Sequence, residues 1–140
     1  MRLRSRGVTP ESQIELARRA IDAFNRRDVE GLIELGRGDF EFDWSRSIAP
    51  NQGVYRGEDG VREFIDDQWS MFSELRVEPE EFVPRGRHVI VPITVRGRAR
   101  DGLPVTASSA QLYTFEDDRP VRVALYQNRD EALEAADAQE

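Results

Sequence analysis

Apolar residues recur at helical spacing in three stretches of the chain's first half, then alternate with polar ones through most of the second. Ile14, Ala17, Ala20, Ile21 and Phe24 fall on one helical face. Thr9-Pro10-Glu11 opens that helix: Thr9 can cap, Pro10 suits the first helical position, and Glu11 complements the dipole. The spacing predicts helix over 10–27. Asp28 caps a second helix over 29–35 that carries Val29, Leu32, Ile33 and Leu35, with Gly36 as its end. A third runs over 58–73 with Val61, Phe64, Ile65, Trp69 and Phe72 on its apolar side. Gln68 lies on that same face.

Between the second and third helices, Asp39 to Trp44 alternates strictly. This predicts a strand with aromatics on one face and carboxylates on the other. The stretch Ser45 to Gly57 reads as a loop. From Glu74 onward strands are expected at about 75–84, 87–99, 104–116 and 120–127, with turns at Arg85-Gly86, Asp101-Gly102 and Asp117-Asp118-Arg119-Pro120. Asn128-Arg129-Asp130-Glu131 resembles a capping box and opens a short helix through Ala136. The order helix, helix, strand, helix and antiparallel meander predicts an α+β domain over 9–140, with residues 1–8 a disordered tail.

The register of the meander decides which side chains meet. A three-residue loop from Asp101 to Leu103 pairs Val91 with Tyr113, Ile93 with Gln111 and Val95 with Ser109. It places Val89, Val91, Ile93 and Val95 toward the helices, and burial decides such one-residue slips. A four-residue turn after Glu116 then sets Tyr126 opposite Gln111 and Asn128 opposite Ser109. The same register leaves Ile90, Pro92, Leu112, Val123 and Leu125 on the outer face. A contiguous apolar patch there predicts a homodimer through the outer sheet face.

Composition narrows the classes. At 140 residues with 39% hydrophobic content the chain suits one globular domain, and no apolar run is long enough to span a bilayer. The basic start, Met1-Arg2-Leu3-Arg4, lacks the apolar stretch of a secretory signal. A formal charge of −7 argues against nucleic acid as a partner. The absence of cysteine excludes disulfides and thiol chemistry and fits a cytoplasmic location. His88 is the only histidine, so a transition-metal site is not expected, and its place beside a turn predicts a surface strand residue. No phosphate loop, serine elbow or metalloprotease motif occurs.

Three strings carry a family likeness: Asp43-Trp44-Ser45-Arg46-Ser47, the run from Tyr55-Arg56-Gly57 to Glu63-Phe64, and the run from Tyr126-Gln127-Asn128 to Ala132-Leu133. With the element order, they make about residues 10–136 resemble the SnoaL-like branch of the nuclear transport factor 2-like superfamily. The resemblance implies a curved antiparallel sheet wrapped as a cone around three helices, with a pocket between them, and pairing of chains through the sheet. It also implies positions for catalytic groups. Ketosteroid isomerases of this superfamily use a tyrosine on the first helix, an aspartate base ending the first strand and a protonated aspartate in the sheet. Those positions here are Ala20, Trp44 (with Asp43 one residue early) and Gln111.

Asp43 is therefore the candidate base. Partial burial could raise its pKa, although strand alternation sends it outward unless a bulge turns the strand end. Trp44, Gln68, Ser109, Gln111, Tyr113 and Tyr126 are the candidate pocket lining, a few polar groups among apolar walls. The functional expectation is a small-molecule-binding protein for an apolar, ring-containing ligand, without cofactor or metal. Its rivals are a cyclase- or isomerase-like enzyme using Asp43 or a bound water as base, and a dimeric interaction module with a filled pocket.

Overall fold

The computed structural model describes residues 9–37, 39–46 and 53–139. The expected tail over 1–8 lies outside the described residues. Helix α1 spans Pro10–Asn25, α2 Val29–Gly36, α3 Gly57–Met71 and α4 Arg129–Ala138. The strands are β1 Glu41–Asp43, β2 Val54–Arg56, β3 Phe72–Pro79, β4 Val83–Arg85, β5 His88–Ala99, β6 Pro104–Glu116 and β7 Arg119–Tyr126. They form one seven-stranded sheet in the order β2-β1-β7-β6-β5-β3, with β4 also on β5. All pairings are antiparallel except that of β1 with β7.

Local chemistry explains the helix boundaries. Thr9 and Ser12 exchange side-chain-to-backbone hydrogen bonds at the start of α1, a reciprocal capping box. Asp28 and Asn128 cap α2 and α4 by accepting from Gly31 and Glu131 N–H. Gly36 is the last helical residue of α2 rather than the cap beyond it. A Cβ there would come within 2.7 Å of Phe40 Cβ, so glycine permits the close approach of α2 to the chain leading into β1.

Several expectations are corrected. The segment read as one strand over 75–84 is two, β3 and β4, which both pair with β5. Strand β2 lies in the stretch read as loop and pairs Tyr55 with Phe42. The β5–β6 loop holds three residues but starts one earlier, because Ala99 N–H donates to Leu103 O and Gly102 takes φ 95°. Every pair shifts by two: Val89 faces Tyr113, Val91 faces Gln111 and Ile93 faces Ser109. Because side chains repeat every second residue, the expected facing of β5 and β6 survives.

The β6–β7 register does not survive. The turn has two residues, Asp117 and Asp118, with Glu116 opposite Arg119. That alone would have kept the expected facing. A bulge between Thr114 and Phe115 then leaves Val121 unpaired and sets Gln111 opposite Leu125. Val123 and Leu125 therefore turn inward, while Arg122, Ala124 and Tyr126 turn outward.

The core fills the face against α1, α2 and α3. Phe42 stacks on Phe64 at 4.1 Å between ring centroids, and Trp44 meets the same ring edge-on at 4.7 Å. On the outer face α4 covers one end of the sheet. Ile90 and Leu112 are fully buried there in a cluster with Ala110, Ala124, Tyr126, Ala132 and Ala136. The apolar patch expected to mark a dimer interface is thus absent, since two of its residues face inward and two lie under α4. His88, expected at the surface, is also buried, with no exposed surface, and sits beside Thr114 on the neighbouring strand β6.

Candidate functional site

Between the three helices and the sheet lies a cavity of about 80 Å³, several times the space a single water needs. The helix layer contributes Ala20, Phe24, Phe64 and Gln68, and the sheet contributes Trp44, Gln111, Tyr113 and Leu125 among others. The partly exposed lining residues, Phe24, Leu75, Val95, Ser109 and Leu125, mark its open side.

One link fixes the wall nearest the end of α1. Asn25 Nδ2–H donates to Val77 O at 2.9 Å, and Val77 N–H donates to Asn25 Oδ1 at 2.8 Å. The amide thus pairs with the edge strand β3 as a neighbouring strand would, and it ties the helix layer to the sheet beside the cavity. Sequence reasoning treated Asn25 only as part of a helix end. Its amide is a common way to satisfy an edge strand, but no local spacing announces a partner 52 residues away.

The polar groups on the wall are amides and hydroxyls. Tyr113 O–H donates to Gln111 Oε1 at 2.8 Å, two residues apart on one face of β6. Burial pushes the Tyr113 hydroxyl far above its usual range, so the group stays neutral. Gln68 Nε2 is buried and has no hydrogen-bond partner among the described residues. Among the described residues no Asp, Glu, His or Arg lines the cavity.

Of the sequence-predicted site residues, Trp44, Gln68, Ser109, Gln111 and Tyr113 line this cavity. Tyr126 does not. The bulge turns it to the outer face, where it packs in the cluster under α4 with Arg46 over its ring at 5.6 Å. Asp43 is also outside the cavity, on the outer face that strict alternation gives it. Arg122 holds it by an ion pair and also donates to Glu41 Oε2 at 3.1 Å, while Arg56 donates to Glu41 Oε1 at 3.1 Å. Burial acts to raise the Asp43 pKa. The hydrogen bonds from Ser45 Oγ–H and N–H, with the Arg122 charge, outweigh it and hold the carboxyl below its ordinary value. A general base working near neutrality needs the opposite shift. Sequence reasoning missed Phe24, Leu75 and Leu125 as cavity lining, and for Leu125 the cation at Arg122 on the same strand was the usable signal. If Tyr126 faced inward, Arg122 would have to as well.

Other chemistry is sparse. His88 Nδ1 lies 3.1 Å from Thr114 Oγ1 on the outer face. Among the described residues no three potential metal-ligating side chains come together. No described helix is long and apolar enough to cross a membrane.

A SnoaL-like domain model matches residues 17–123, most of the chain, and the protein belongs to that family. Solved structures agree on the fold. A nuclear transport factor 2-like protein of unknown function from Burkholderia pseudomallei is 26% identical with a TM-score of 0.72, covering 88% of this chain and 95% of its own. TerC, co-crystallized with polyporic acid, is 22% identical with a TM-score of 0.74, covering 90% and 98% respectively. Rv0760c from Mycobacterium tuberculosis, in complex with estradiol-17beta-hemisuccinate, is 17% identical with a TM-score of 0.70, covering 85% and 95%. No curated protein matches the chain.

Proposed function

We propose that the chain binds a small, apolar, ring-containing molecule in the cavity between its helices and sheet, and turns it over slowly or not at all. The observation that carries this reading is the chemistry of the wall: apolar and aromatic surface, a few amide and hydroxyl groups, and, among the described residues, no carboxylate or imidazole. Such walls suit directed binding. Similar folds crystallized with polyporic acid, with trimethylamine and with estradiol-17beta-hemisuccinate support a small molecule as the occupant.

A cyclase- or isomerase-like reaction needs a base within reach of the ligand, and it loses roughly 10²–10⁴-fold without one. Asp43 is tied to Arg122 on the far side of the sheet. An unfilled cavity also argues against a purely structural module. The test is a thermal-shift screen of ring compounds, followed by turnover assays on each hit with wild type and Asp43→Asn. Stabilisation by ring compounds with no Asp43-dependent turnover is expected; robust turnover that vanishes in Asp43→Asn would overturn the proposal.

With the outer patch covered by α4, pairing of two chains rests on resemblance alone. Light scattering at micromolar concentration decides it: twice the chain mass supports a homodimer, and a single-chain mass withdraws it.

A further inference from the structure

The end of α1 meets the sheet along a seam with β3, and both sides of that seam are cavity wall. Phe24 stands one residue before the last of α1, and Leu75 and Val77 lie two apart on β3; all three line the cavity. Phe24 and Leu75 are half-buried, so the open side of the cavity reaches the seam.

Strand β3 is the last on its side of the sheet and pairs only with β5. In an antiparallel pair, main-chain groups point toward the partner strand and away from it at alternate residues. Val77 gives both its N–H and its C=O to Asn25, so its main chain points away from β5. Leu75, two residues earlier, points the same way, and Pro79, two residues later, has no N–H to offer. Among the described residues, the Asn25 amide is therefore the one hydrogen-bonded rung between the end of α1 and the free edge of β3.

That rung is built to release. Both partners are neutral, and exchanging two neutral hydrogen bonds for bonds to water is a small net change. The amide belongs to a side chain, so rotation of Asn25 breaks both bonds while the hydrogen bonds within α1 stay in place. Asn25 itself does not line the cavity.

We propose, resting on the binding reading, that Asn25 is a latch on the cavity: ligands enter and leave between Phe24 and Leu75, and the two bonds to Val77 break to let them pass. The bonds are made whether the cavity is empty or filled, so they cancel in the affinity. They act on the path, and association and dissociation change by the same factor when they are lost.

Fluorobenzene is the probe, because its ¹⁹F signal reads affinity and exchange rates in one titration of the full chain. Asn25→Ala, which removes both bonds, should raise the association and dissociation rates together, each on the order of tenfold, with the Kd held within about twofold. Asn25→Asp keeps the acceptor for Val77 N–H and loses the donor. It should raise both rates a few-fold, and it serves if Asn25→Ala does not fold.

Wild-type exchange rates in a folded variant would overturn the latch and leave the binding cavity standing. So would a weaker Kd with an unchanged association rate, since Asn25 would then shape the wall and not the path. Failure of fluorobenzene to bind at millimolar concentration would remove the binding reading and the latch together.

Discussion

The two faces of the sheet are built from the same strands and do opposite things with their polar residues. On the cavity wall the described residues carry no charged group, and neutral amides and hydroxyls remain among aromatic rings: Gln111 and Tyr113 beside Trp44, Phe42 and Phe64. On the outer face the charges are kept and paired, with Arg122 between Glu41 and Asp43. Strand β1 shows the division over four residues, sending Phe42 and the adjacent Trp44 inward and Glu41 and Asp43 outward. Alternation alone thus separates the carboxylates of β1 from the cavity. A carboxylate one residue from a family's catalytic position is therefore on the side of the sheet away from the cavity.

That contrast can be broken from the inside first. Phe64 is the ring against which Phe42, Trp44 and Tyr55 all pack, and it is 1% exposed. Phe64→Ala should cost about 3–5 kcal/mol, the usual loss for a large aromatic truncated in a core. Urea denaturation with an unchanged m-value would show it.

The outer face can be broken next by lifting its cover. Ala132 on α4 is fully buried against the cluster that holds Ile90 and Leu112. Ala132→Asp should cost roughly 2–4 kcal/mol, because the carboxylate must be buried unpaired or α4 must leave. Hydrogen exchange should show α4 amides losing protection while the inner core keeps its own. Light scattering on the same sample should report a rise in mass as the uncovered apolar surface associates.

A smaller effect is expected from the outer ion pairs. Arg122→Met leaves Glu41 and Asp43 without their shared cation and should cost about 1–3 kcal/mol at neutral pH, the figure for breaking charge-assisted hydrogen bonds at a partly exposed site. Burial acts to lower the Arg122 pKa, but the hydrogen bond to Glu41 and the Asp43 charge raise it overall, so the cation persists at every accessible pH. The Asp43 pKa is lowered on folding. Its contribution is therefore fully present above about pH 4, its ordinary range, and is lost as pH falls through the depressed folded value. Urea midpoints at pH 6 and pH 3 should separate more in wild type than in Arg122→Met.

The parts of this comparison that sequence conveyed are those written in local periodicity. The stripe Ala17, Ala20, Ile21 and Phe24 and the alternation through Trp44 each place their residues without knowledge of the rest of the chain. Gln111 and Tyr113 reach the cavity because the β5–β6 slip was by two residues, which preserves facing, and Gln68 reaches it on the apolar face of α3. Tyr126 and Leu125 exchanged faces because a single bulge lies within the β6–β7 pairing, at Val121, where simple alternation assumes an unbroken strand. The loss of the outer apolar patch has a different cause: α4 was legible as a helix, but nothing in its own spacing says which surface it covers. Asn25 was lost in the same way, since its partner Val77 lies far along the chain.

The central claim is that recognition lives on the inner face and that the outer carboxylate takes no part in it. The most direct test is a side-by-side titration of the strongest ring-compound hit into wild type, Gln111→Leu and Asp43→Asn. Gln111→Leu should weaken binding by about 1 kcal/mol, roughly fivefold, through loss of one directed hydrogen bond, while Asp43→Asn should leave the affinity unchanged. An affinity that falls in Asp43→Asn and holds in Gln111→Leu would contradict the account.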